Sequence, residues 1–288
     1  MATRFTSDNH PLVTPDAVNA LPSNPADVVS AYGPAPAQFG ELRLPTGRGP
    51  HPVAVVIHGG CWLSLYADLH NANALADALR DEGIATWNVE YRCVDQEGGG
   101  WPGTFLDAGN ATDHLRTLAG DHDLDLDRVI TIGHSAGGHL ALWTAARHRL
   151  SGKSPLWTAD PLRLRGTVVL GGPGDLKAFS PHADAECREG VVTELLGGPS
   201  VSLERMEERY RCGSPAELLP LGLRQVVISA EHDWVVPPAL GEAYTEAARN
   251  AGDEIEHLVI PGAGHHEFMV PGSVTWPAVI TSVRSMLS

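Results

Sequence analysis

From residue 38 onward the chain alternates two hydrophobic patterns. Gln38-Phe-Gly-Glu-Leu-Arg-Leu-Pro45 alternates apolar and polar positions, as a half-buried strand does. Val53-Ala-Val-Val-Ile57 is a continuous apolar run, which predicts a strand buried on both faces. Asn71 to Arg80 places Ala74, Leu75, Ala78 and Leu79 at helical spacing. The alternation continues with a strand over Ile84–Tyr91, a helix over Thr104–Leu118 closed by Gly120, a strand over Arg128–Gly133 and a helix over Ala136–Arg149. Strands are predicted at Thr167–Leu170, Gln225–Ser229 and Ile255–Ile260, and helices at Pro238–Asn250 and Pro277–Met286.

A strand-helix alternation of this kind predicts an α/β fold with a mostly parallel sheet and helices on both faces. In such sheets ligands bind beyond the carboxyl ends of the strands, so the residues just after each strand carry the functional information. Two segments break the rhythm. The first 37 residues are rich in Pro, Asn and Ala and predict an irregular arm over the surface. Residues from about 175 to 221 read as a small helical cap within a single domain spanning 38–288, too short to fold independently.

Three post-strand segments carry chemistry. Gly133-His-Ser-Ala-Gly137 fits G-x-S-x-G between a strand and a helix. That context predicts a sharp turn projecting the Ser135 hydroxyl, with the helix N-terminus offering free N–H groups. His58-Gly-Gly-Cys-Trp62 follows the apolar strand, and the N–H groups of Gly60 and Cys61, with that of Ala136, are candidates for an oxyanion hole. His58 itself reads as a shaper of the loop rather than a base. Asp233 and His265, 32 residues apart, follow the last two strands and complete the order Ser, Asp, His. Asp175 and Glu231 are rivals for the acid, and His266 for the base. Trp62, Trp101, Trp234 and His266 are candidate pocket residues, each tryptophan equally placed to be core.

On these two motifs the chain resembles the α/β-hydrolase superfamily, and within it the HGGxW esterase and kynurenine-formamidase-like group. The resemblance covers roughly residues 38–288. It implies serine hydrolysis of an ester or amide by Ser135, Asp233 and His265, with no cofactor. The expected function is a carboxylesterase for short-chain or small aromatic acyl groups. An amide hydrolase, such as an arylformamidase or peptidase, is the alternative within catalysis. A non-catalytic small-molecule binding module on the same fold is the alternative outside it.

Composition narrows the partners. Lys and Arg number 20 against 35 Asp and Glu, a net charge of −15, which disfavours nucleic acid and anionic membranes. No apolar run reaches the roughly 18 residues a membrane helix needs, and the first ten residues lack the apolar core of an export leader. The cysteines, Cys61, Cys93, Cys187 and Cys212, show no CxxC spacing. They read as cytoplasmic thiols, although Cys187 and Cys212 lie in one segment and could pair. Asp121–Asp127 lacks the Gly and Glu of a calcium loop, and Gly98–Gly103 fits a dinucleotide motif by letter only. No metal site is expected, and the oligomeric state is left open.

Overall fold

The computed structural model describes residues 4–6 and 11–288. The expectation that the first ten residues carry no leader falls largely outside them. Among the described residues, no helix is long and apolar enough to cross a membrane.

Eight strands form one sheet: β1 (Val28–Ala31), β2 (Phe39–Arg43), β3 (His51–Ile57), β4 (Ala85–Val89), β5 (Leu124–His134), β6 (Gly166–Leu170), β7 (Arg224–Ala230) and β8 (Ile255–Ile260). They lie in the order β1-β2-β4-β3-β5-β6-β7-β8. β1 and β2 are antiparallel to their neighbours, and the pairings from β4 through β8 are parallel. The carboxyl-terminal halves of the central strands are buried because helices cover both faces. Along β3, Val53, Val55 and Ile57 join one apolar core while Ala54 and Val56 join the other, as the two-residue period of a strand dictates. The first core packs under helices α3 (Gly103–Asp113), α4 (Leu115–Asp121), α5 (Ala136–Ala146) and α9 (Pro238–Asn250), around Trp62, Trp87, Phe105 and Trp143. The second packs under α2 (Asn73–Asp81) and α10 (Trp276–Leu287). Every residue of α5 is buried, so this helix is apolar all round and shows no amphipathic stripe.

The structure departs from the sequence reading in three places. The arm is not wholly irregular: Pro15–Asn19 forms helix α1, with Thr14 capping its N-terminus, and β1 adds an edge strand paired with β2. Val-Val-Ser-Ala is too short, and too closely flanked by Ser and Pro, to stand out as a strand before its partner is known. The predicted helix over Thr104–Leu118 is two helices that meet at His114, whose backbone stays right-handed. β5 begins at Leu124, so the second half of the acidic Asp121–Asp127 run is strand rather than loop. The cap region holds α6 (Leu176–Glu186), α7 (Val191–Leu195) and α8 (Leu203–Gly213). Asp253 fastens its return to the sheet, accepting from the Leu221 and Gly222 amides at 2.8 and 2.7 Å.

The β5–α5 junction is packed backbone on backbone. A Cβ on Gly133 would lie 2.1 Å from the Gly137 carbonyl oxygen, and one on Gly137 would lie 2.1 Å from that of Ile57. Neither glycine has positive φ, so closeness rather than dihedral freedom demands them. Gly137→Ala is therefore expected to lower the urea midpoint by an amount equivalent to about 1–3 kcal/mol or more, the cost of overpacking a core. Gly120→Ala, on α4 with nothing near its Cβ, is expected to leave the midpoint unchanged or slightly raised. Equal effects in the two variants contradict the close-packing account.

Candidate active site

Ser135 occupies the turn between β5 and α5 with φ 54° and ψ −120°. A non-glycine residue in this region costs on the order of 1–3 kcal/mol and persists only when its surroundings enforce it. They do so here. The Ser135 amide donates to the Leu170 carbonyl at 2.9 Å, and a Cβ on Gly172 would meet both Gly138 and the Ser135 carbonyl at 2.9 Å or less. Only glycine backbone fits against the turn.

Asp233 and His265 meet beside it. The Nδ1 hydrogen of His265 donates to Asp233 Oδ2 at 2.7 Å. The other carboxylate oxygen accepts the Val235 and Val236 amides at 2.9 and 2.8 Å, which fixes the carboxylate from the turn after β7. The pair needs space at the end of β6, where Gly171 has φ 52° and a Cβ would lie 2.9 Å from Asp233 Oδ2. Ser135, Asp233 and His265 are all at most 5% exposed. The rival acids are engaged elsewhere. Asp175 caps α6 through the Lys177 and Ala178 amides, and Glu231 accepts the Gly262 amide.

Three imidazoles crowd this point. His134 and His265 lie 4.6 Å apart and His265 and His266 5.1 Å apart, ring centre to ring centre. His134 Nε2 faces the His265 carbonyl at 2.8 Å, so it carries the proton and donates it. Burial, with the neighbouring His265 and His266, drives His134 well below the ordinary histidine value. Burial, then His265, drives His266 down to about 3. Both rings are therefore neutral at pH 7.

The loop His58–Trp62 forms the opposite wall. Gly60, Cys61 and Trp62 all have positive φ, at 96°, 54° and 56°. His58 is buried, stacked on Tyr91, with its ring nitrogens on the Gly59 carbonyl and on Glu90 at 2.9 and 3.0 Å. Burial alone would raise the Glu90 carboxyl. His58 and the Leu69 and Tyr91 amides outweigh it and hold that carboxyl below its ordinary value. His58 is thus a buried brace for the loop. Among the described residues, the amides of Gly60, Cys61 and Ala136 donate to no backbone or side-chain acceptor.

A cavity of about 560 Å³ opens on Ser135 and His265. Gly60, Cys61, His134, His266 and Trp234 line it, together with Leu65, Tyr66 and Val235. Trp62 and Trp101, expected as candidates for its wall, do not line it. The Trp62 indole is turned wholly into the core, edge-on to His139 and Phe179. Trp101 packs edge-on against Phe105, with the Arg209 guanidinium over its ring. The N-terminal segment contributes Thr14, Pro15, Asp16 and Asn19 instead. Glu267 secures that segment, accepting the Val13 amide at 2.8 Å and the Gly264 amide at 2.9 Å, and so joins it to the turn that carries His265. Arg4 reaches across the rim, 4.3 Å above the Trp234 ring and 3.1 Å from Glu186. Glu267, Glu90 and the arm residues gave no signal in sequence. Gly171-Gly172 did: it is a glycine pair directly after a strand, much as Gly59-Gly60 follows Ile57 and His58.

The cysteine expectation is corrected. Cys187 is bonded to Cys61, with their Cα atoms 5.9 Å apart, and Cys93 and Cys212 are free. Spacing along the chain favoured Cys212 as the partner, but the fold lays the end of α6 against the His58–Trp62 loop. The argument for a reducing compartment from four free thiols falls with it.

A family model described as BD-FAE matches residues 41–246. The chain belongs to the BD-FAE family. Among curated proteins, this member is 24% identical to esterase LipC of Mycobacterium tuberculosis, over 85% of its own length and 61% of that protein. It is 23% identical to a probable isoprenylcysteine alpha-carbonyl methylesterase of Oryza sativa subsp. japonica, over 83% and 56%. The chain thus spans between half and two thirds of the length of these relatives. Among solved structures, a truncated form of a carbohydrate esterase from gut microbiota superposes with a TM-score of 0.73 at 19% identity, covering 91% of this chain and 98% of that one. A bacterial heroin esterase superposes at 0.67 with 21% identity, over 87% and 80%. The shared architecture is the α/β-hydrolase fold. The BD-FAE match ends before β8, so the position of His265 rests on the geometry above.

The depressed histidines predict an acid sensitivity. A histidine whose folded value lies below its unfolded one stabilises the fold fully above about pH 6.5, and that stability is lost as pH falls towards the folded value. For His266 the window is about pH 6.5 down to about 3. Urea midpoints are expected to fall between pH 7 and pH 4, and His266→Gln is expected to flatten that fall. A His266→Gln profile parallel to the wild type removes this histidine from the account.

Proposed function

We propose that the chain is a serine carboxylic-ester hydrolase in which Ser135 is the nucleophile, His265 the general base and Asp233 the residue that orients it. The observation that carries the reading is the 2.7 Å contact of His265 Nδ1 with Asp233 Oδ2, beside a serine held at φ 54° on the same cavity. With its Nδ1 hydrogen committed to Asp233, the His265 ring presents an Nε2 lone pair. That nitrogen takes the Ser135 proton as Oγ attacks the ester carbonyl. The amides of Gly60, Cys61 and Ala136 donate to the developing oxyanion. These donors are fixed before reaction and need no reorganisation. The imidazolium, stabilised by Asp233, then returns the proton to the departing alcohol. Water attacks the acyl-enzyme by the same route in reverse. The esterase names of the relatives support ester over amide.

A cavity of about 560 Å³ suits a small substrate and limits the apolar area a long chain can bury. Among the described residues, Asp16 and Glu186 are its acidic lining groups, and Arg4 at its rim is already paired with Glu186. The substrate class is therefore a short-chain or small aromatic carboxylic ester that carries no negative charge. No cofactor, nucleic acid or membrane enters the reaction.

Ser135→Ala is expected to lower kcat/KM for p-nitrophenyl acetate by on the order of 10³ or more, with Asp233→Asn and His265→Ala also severe and His266→Ala and Asp175→Asn mild. Activity of Ser135→Ala within tenfold of wild type overturns the reading. Across substrates, acetate and butyrate esters should exceed palmitate, and a p-nitrophenyl hemisuccinate should fall well below butyrate. A preference of 100-fold for N-formylkynurenine over every ester replaces the esterase with a formamidase.

A further inference from the structure

We infer that Cys187 is a positioning residue for hydrolysis: through its disulfide it holds the Cys61 amide where the oxyanion forms, so turnover depends on the oxidation state of this pair. The inference rests on the assignment of Cys61 to the oxyanion hole.

Cys61 lies in the middle of three successive residues with positive φ. Its neighbours are tethered through their backbones: the Gly60 carbonyl accepts the Leu63 amide and the Trp62 carbonyl accepts the Val94 amide, both at 2.8 Å. Beyond them, Asp95 takes the Ser64 and Leu65 amides. The Cys61 backbone itself makes no hydrogen bond among the described residues. An amide left free to receive an oxyanion is also an amide that nothing holds. Its side chain supplies the tether, and the tether ends on a firm support. Cys187 closes α6, its amide bonded to the Ala183 carbonyl at 2.9 Å. Its own carbonyl accepts the Tyr66 hydroxyl at 3.0 Å. The same helix presents Phe179 to the Trp62 indole, with ring centres 6.1 Å apart. Residues 61 and 62 thus grip α6 side by side, one covalently and one by packing, and the covalent grip is the one on the oxyanion donor.

Opening the bond takes two electrons and two protons from a dithiol. Both cysteines become thiols and the reductant becomes a disulfide. The Cys61 amide then keeps its place only through its neighbours. The loss should fall on the transition state, where charge is on the oxygen, and spare the ground state.

The test compares wild type, Cys187→Ser and wild type treated with dithiothreitol. All are assayed with p-nitrophenyl acetate at a temperature where near-ultraviolet circular dichroism shows native packing. In Cys187→Ser, kcat is expected to fall tenfold or more with KM within about twofold. Affinity for a trifluoromethyl ketone, which forms a tetrahedral oxyanion on the serine, should fall in parallel. Dithiothreitol should impose the same loss on wild type, reversibly on reoxidation, and have no further effect on Cys187→Ser. Should Cys187→Ser fail to fold, the reduced wild type carries the same readouts. A folded protein without the bond whose kcat and ketone affinity stay within twofold of the oxidised wild type overturns the inference, as does a rise in KM alone. Failure of the serine assignment is separate and reads as full activity in Ser135→Ala.

Discussion

The site depends on one constraint: three pieces of backbone must meet at Ser135 with no side chain between them. The end of β3, the turn from β5 into α5 and the glycines after β6 close to within the reach of a single methyl group. That closeness holds Ser135 in a conformation its side chain disfavours. It also draws together the loop after β3 and the loop after β6, so the remaining groups arrive as consequences. Parallel strands place their following loops at one edge, and the missing Cβ atoms at Gly133, Gly137 and Gly172 let that edge close. Larger residues would still permit a sheet, but they would push the turn that carries Ser135 away from the ends of β3 and β6.

Charge is handled by the same compactness. Asp233 has both oxygens occupied, one by His265 and the other by two amides, so its charge is compensated without a cation. The neighbouring histidines cannot share a positive charge at this distance in a buried setting, and burial keeps His134 and His266 neutral. Under the proposed mechanism, an imidazolium on His265 would meet the Asp233 carboxylate and two neutral rings. His134 also gives structure to the turn: its proton goes to the His265 carbonyl, which ties the serine motif to the histidine loop.

What could be read from sequence follows from range. The strands, the helix order and the Gly-His-Ser-Ala-Gly turn are local, set by a two- or three-residue period and by glycine. Asp233 and His265 are far apart in sequence, yet each is legible because it immediately follows a strand whose end lies on the same edge. Partners that depend on the finished fold were not legible. Cys61 and Cys187 are separated by 126 residues and belong to elements whose contact no periodicity encodes. Trp62 follows a strand as a pocket residue would, but φ of 56° turns its indole into the core. The N-terminal segment carries no motif at all, and it lines the cavity because Glu267 takes the Val13 amide.

These tethers share a direction. Glu267 binds the N-terminal segment to the histidine turn, the Cys61–Cys187 bond joins the cap to the loop after β3, and Arg4 links Trp234 with Glu186 across the rim. Ser135, Asp233 and His265 are fixed from beneath by the sheet, whereas Thr14, Pro15, Asp16 and Asn19 of the arm and Glu186 of the cap add to the cavity wall from outside its parallel core. Such walls can vary without disturbing the glycine-packed floor, because the nearest atoms to a Cβ at Gly133, Gly137 or Gly172 belong to Ile57, His58, Ser135, Gly137 and Gly138. On the proposed serine-hydrolase reading, the floor would carry the chemistry and the walls would select what reaches it.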